Sequence, residues 1–87
     1  MIHFYNSNDT MKILIQNECK HSEKDKIIEI IDKNYNIEIS LLDIEILPSE
    51  IIKFIVMNQS KIVLSTNNKT IWLYLRSLSI VIKLEYN

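Results

Sequence analysis

The residues best suited to chemistry fall in three short clusters. Asn17-Glu18-Cys19-Lys20-His21 follows one apolar run, Asp43 and Glu45 follow a second, and Thr66-Asn67-Asn68-Lys69-Thr70 follows a third. Carboxylates such as Glu18 and Asp43 can hold a divalent cation or act as acid and base. Cys19 is the only cysteine. At the start of a helix, beside Lys20 and His21, its thiolate would be favoured by the helix dipole and the neighbouring cations. His21 with Glu18 is a conceivable metal pair, but His3 and His21 lack ligand spacing and no C-x-x-C pair is available for zinc. No serine has a histidine and carboxylate arrangement readable from the sequence. Among the 87 residues there is no glycine, which excludes the phosphate loop, the G-x-G-x-x-G turn, the G-x-S-x-G elbow and the EF-hand loop.

These clusters need a scaffold, and the apolar pattern supplies one. Met11 to Gln16 reads as a strand, and Ser22 to Asn34 as a helix with Ser22 as its cap and Asp25 at capping-box spacing. Ile37 to Leu42 is a second strand. Apolar residues occupy odd positions up to Leu41 and even ones from Leu42, so Asp43 to Leu47 must bulge or break away. A helix runs from about Pro48 to Met57, a strand from Lys61 to Ser65, a helix from about Lys69 to Leu78 and a last, half-exposed strand from Ile80 to Tyr86. Ile2 to Tyr5 is either an antiparallel edge strand, entered through the turn residues Asn6 to Asp9, or part of a loose extension. The β-α-β-α-β-α-β order predicts one small three-layer α/β domain over residues 1–87, with a mostly parallel sheet of four strands, or five with Ile2 to Tyr5, and helices on both faces. Ligands of such sheets gather at the carboxyl ends of the strands, where all three clusters lie.

Two resemblances attach to those loops. Ile62 to Glu85 (IVLSTNNKTIWLYLRSLSIVIKLE) resembles the C-terminal strand, turn, helix and strand of PIN-like ribonucleases, and Met11 to Glu18 (MKILIQNE) resembles their opening strand. That likeness implies a magnesium- or manganese-dependent cleavage of RNA by clustered carboxylates, here Glu18 and Asp43. The chain departs from the pattern where it matters, because Asn68 stands where an acidic ligand is expected. The resemblance therefore implies a degenerate, non-catalytic relative without a cofactor. Cys19-Lys20-His21-Ser22 is similar to the C-x-x-S of monothiol glutaredoxins, which implies a redox role for Cys19. The only proline, Pro48, precedes a helix rather than a strand, and the glycines of a glutathione site are missing.

Composition bears on partners. Eighteen isoleucines and nine asparagines, with no alanine, follow from AT-rich codons. Asparagines 34, 36, 58, 67 and 68 fall at element ends where glycine would ordinarily stand. Residues 1–50 carry a net charge of −5, and residues 51–87, with Lys53, Lys61, Lys69, Arg76 and Lys83 against Glu85, carry +4. A basic half can meet RNA phosphates, the acidic half of a second copy, or a charged protein. The expected binding residues are Asn17, Thr66, Asn67, Asn68, Lys69, Trp72 and Arg76. No secretory signal or membrane span is evident, so a cytoplasmic, organelle-encoded or virus-encoded protein is expected, acting as a binding or assembly module in a larger protein or RNA-protein complex.

Overall fold

A computed structural model of the chain describes residues 1–85. Strand β1 (Ile2–Ser7) turns into β2 (Thr10–Gln16), which is followed by α1 (His21–Lys33), β3 (Ile37–Leu42), α2 (Ser49–Met57), a 3-10 turn (Gln59–Lys61), β4 (Ile62–Thr66), α3 (Lys69–Ser77) and β5 (Lys83–Leu84). The five strands stand in sequence order, β1 antiparallel to β2 and the rest parallel. Ile2 to Tyr5 thus belongs to an edge strand. Its two-residue turn places Asn8 and Asp9 at φ 51° and 64°, the left-handed pair that matches the twist of a hairpin.

The expected third layer is absent among the described residues. Three successive crossovers in one direction along the sheet, each of the same hand, must set their helices on the same face. The register agrees: Ile13, Ile39 and Leu64 are aligned, as are Ile15, Leu41 and Thr66, and all are buried. The opposite face carries the row Tyr5, Lys12, Glu38 and Val63. There Lys12 Nζ lies 3.6 Å from Glu38 and 6.0 Å from the Tyr5 ring centroid. Among the described residues the domain is therefore a two-layer sandwich with one bare sheet face, an unusual state for a mostly parallel sheet.

The core takes up most of the isoleucines. Its seventeen buried apolar residues are all isoleucine or leucine, including Ile27, Ile31, Ile51, Ile55 and Ile71 on the helices. Isoleucine is a mediocre helix former, so burial of these stripes is what holds the helices. Helix α1 is tied to α2 by Lys24 Nζ, 3.0 Å from Glu50 Oε1.

Several end signals differ from expectation. Helix α1 starts before Ser22: Lys20 is the cap residue, and its N–H donates to the Glu23 carboxylate at 2.9 Å, leaving Ser22 and Asp25 inside the helix. Asn34 is extended, not left-handed; its side-chain amide donates to Ile30 C=O at 2.8 Å, and Asn58 does the same to Phe54 C=O at 2.8 Å. Side chains, not left-handed backbone, close these two helices. The left-handed positions are instead Asn8, Asp9, Asn17, Asp43 and Ser79. Asp43, at φ 55°, makes the break foreseen after Leu42.

The last strand is far shorter than expected. Ile80 and Ile82 are buried, but among the described residues only Lys83 and Leu84 pair with β4, and Tyr86 lies outside those residues. Ser79 closes α3, its N–H donating to Arg76 C=O at 2.9 Å while Ile80 N–H donates to Leu75 C=O at 3.1 Å. That is a Schellman closure with serine at φ 63°, where glycine is usual. Ser79→Gly is expected to stabilise the domain by about 0.5–1 kcal/mol in urea titration. Relief of the left-handed strain exceeds the added unfolded-state entropy.

Candidate functional site

The loops at the carboxyl ends of β2, β3 and β4 form one rim. Asn17, at φ 69°, donates its N–H to Leu42 C=O at 2.9 Å and carries the β2–β3 ladder one residue beyond the strand. Glu18 N–H then turns back to Gln16 C=O at 2.8 Å, bringing Glu18 and Cys19 to the rim. Across from them, Asp43 and Asn67 are clasped twice. Asp43 N–H donates to Asn67 Oδ1 at 2.9 Å, and Asn67 Nδ2 donates to Asp43 Oδ1 at 3.1 Å.

The result is a cleft of about 590 Å³ with Asn17, Glu18, Cys19, His21, Asp43 and Glu45 in its wall. Four expected site residues, Asn17, Glu18, Cys19 and Asp43, are thus brought together, and Asn67 braces the last of them. The other expected residues, Lys69 apart, serve the scaffold. Thr66 is buried, and its hydroxyl accepts from Asn68 N–H at 3.1 Å. Asn68 caps α3, its Oδ1 accepting from Ile71 N–H at 3.0 Å. Its carbonyl oxygen is turned to the helix end. Lys69 begins α3 and is exposed. Trp72 and Arg76 lie apart from the cleft: the indole Nε1–H donates to Ile82 C=O at 3.1 Å, and the Arg76 guanidinium stacks 4.7 Å from the ring centroid. Together they hold the segment that follows α3.

The chemistry of the rim follows from these placements. Burial pushes the Cys19 thiol above its ordinary range, Glu23 adds to the shift, and the N-terminal ammonium offsets part of it. Cys19 precedes the cap residue of α1, and the thiolate expected from Lys20 and His21 is disfavoured there. Among the described residues, no three histidine, cysteine, aspartate or glutamate side chains are grouped so as to hold a metal ion. No described helix is long and apolar enough to cross a membrane.

No family model, curated protein or solved structure matches the chain.

One rim residue escaped the sequence reading. Ile46 is 80% exposed, although Ile44, two positions earlier, is fully buried. It stands on the lip between the first cleft and a second one of about 410 Å³, whose wall includes Leu47, Ser49, Ile52, Thr70 and Tyr74 at the N-terminal ends of α2 and α3. The available signal was the even-numbered run Leu42, Ile44, Ile46: once Asp43 breaks the strand, a loop this short cannot bury every apolar member.

The charge asymmetry is also ordered. All four ion pairs among the described residues use lysines of the first half, Lys12, Lys24, Lys26 and Lys33. Lys53, Lys61, Lys69, Arg76 and Lys83 make none among the described residues.

Proposed function

We propose that the chain is a non-catalytic binding and assembly module that holds a protein partner along the rim at the carboxyl ends of its strands. The observation that carries this reading is the use of the rim's polar groups. Asn67 is committed to Asp43, Asn68 to the cap of α3 and Thr66 to Asn68, whereas Ile46 projects between two adjoining clefts. A side chain of this size, exposed beside an apolar groove, suits an anchor for a protein surface. The resemblance to a degenerate PIN-like unit is compatible with the same reading, because Asn68, a neutral amide where a metal ligand would be a carboxylate, caps α3.

A metal-dependent ribonuclease would draw on Glu18 and Asp43, and a redox protein on Cys19. The ligand grouping does not favour the first, and the raised thiol does not favour the second. The test is incubation of the protein with single-stranded RNA and magnesium or manganese, together with a gel-shift salt series. No cleavage and no salt-sensitive shift are expected. Metal-dependent cleavage abolished by Glu18→Gln would overturn the non-catalytic reading, and a shift weakened by salt would make RNA the partner.

A further inference from the structure

The outer edge of β1 has no partner among the described residues and none of the usual defences of an exposed edge. Ile2–Ser7 contains no lysine, arginine, aspartate, glutamate or proline, and its pairing with β2 runs without a bulge from Ile2 opposite Ile15 to Ser7 opposite Thr10. Proteins ordinarily block such edges with charge, proline, bulges or a covering element. The other margin of the sheet differs, for β5 is only two residues long and carries Lys83.

The hydrogen-bond phase of this edge can be derived. Gln16 N–H donates to Met1 C=O at 2.8 Å and the Met1 amino group donates to Gln16 C=O at 2.9 Å, so residue 1 faces β2. Alternation then turns the backbone groups of His3, Tyr5 and Ser7 toward β2 and those of Ile2, Phe4 and Asn6 outward. These three residues are symmetric about Phe4. A two-fold axis normal to the sheet through that point pairs Phe4 with its counterpart and Ile2 with Asn6 of the other copy. Every outward N–H and C=O of the three is then satisfied. The same axis keeps the helices of both copies on one side of a continuous sheet. It also sets Phe4 against Phe4, where Ile2 and Phe4 lie only half-buried against the core.

We propose that β1 is the seam of a two-fold homodimer, in which β1 of a second copy of this chain pairs antiparallel with it, centred on Phe4, and extends the sheet. The seam is independent of the rim. It uses the opposite property of the sheet, a polar backbone edge in place of exposed side chains.

Sedimentation equilibrium of the full chain over a concentration series is expected to rise to twice the mass of one chain. Phe4→Pro removes an outward N–H that β2 does not use, and should abolish the dimer while the circular dichroism spectrum is retained. Register is tested by cysteine pairing in a Cys19→Ser background. Phe4→Cys places two thiols on α-carbons about 5.5 Å apart, within disulfide reach, whereas Asn6→Cys leaves them about 14 Å apart. Rapid oxidation of the Phe4→Cys variant to a linked dimer, with none for Asn6→Cys, is the expected result. A monomer at every concentration, a dimer that survives Phe4→Pro, or equal linking of the two cysteine variants would overturn the proposal.

Discussion

Replacing Ile39 by alanine is expected to lower the unfolding free energy by about 3–4 kcal/mol, within the range for buried isoleucine truncations. Ile39 is 1% exposed at the centre of the middle strand, with Ile13 and Leu64 aligned on either side and the helix layer above. Its neighbours are held by two ladders, so the cavity cannot close by moving one strand. A domain of this length has roughly 4–13 kcal/mol in all, and the loss is a large share of it. Urea unfolding should show a lower midpoint with an unchanged slope. The contrast is Val63→Thr on the bare face, at a position 50% exposed, which should change stability by less than about 0.5 kcal/mol. A sheet covered on both faces would make the second substitution costly as well.

The second large effect separates two neighbours in one loop. Ile44→Asp is expected to cost about 4 kcal/mol or more and to leave the domain largely unfolded, because Ile44 is fully buried in the isoleucine and leucine core and a carboxylate there has no partner. Ile46→Asp, two residues on, should leave stability within about 0.5 kcal/mol of the parent, since that side chain is 80% exposed. Circular dichroism and urea titration of the pair measure both. Equal damage from the two would mean that Ile46 packs inward and is no anchor.

Much of the fold was legible because each strand and helix has its own apolar period. The β3 strand, the Asp43 break and the α3 start at Lys69 all follow from local pattern. The layer count is legible in the strands rather than in the element order, which pointed to helices on both faces. Lys12 and Gln16 in β2, and Glu38 and Ser40 in β3, alternate with buried isoleucines, which is the mark of a sheet with one face in water. Strand order was the missing quantity. Sequential order puts every crossover on the same side, and only long-range pairing decides it. The helix start at Lys20 was hidden for a different reason: the cap bond comes from the Glu23 side chain, so the residue at the cap need not be a good capper.

The site was legible as an edge but not as a surface. Topology alone collected Asn17, Glu18, Cys19 and Asp43 at one end of the sheet. Which side chains remain free there depends on hydrogen bonds between loops 24 residues apart, such as the clasp of Asn67 on Asp43, and no local spacing encodes them. The absence of glycine sharpened in the same way. It excluded several catalytic loops outright, and the structure shows its cost in left-handed backbone at Asn17, Asp43 and Ser79, two of which shape the rim.

Affinity purification of the native protein beside its Ile46→Asp variant tests the central claim most directly. The account predicts a protein partner recovered with the parent chain, retained after nuclease treatment and lost from the equally stable variant. Recovery unaffected by Ile46→Asp, or a complex that disappears with nuclease, would contradict it.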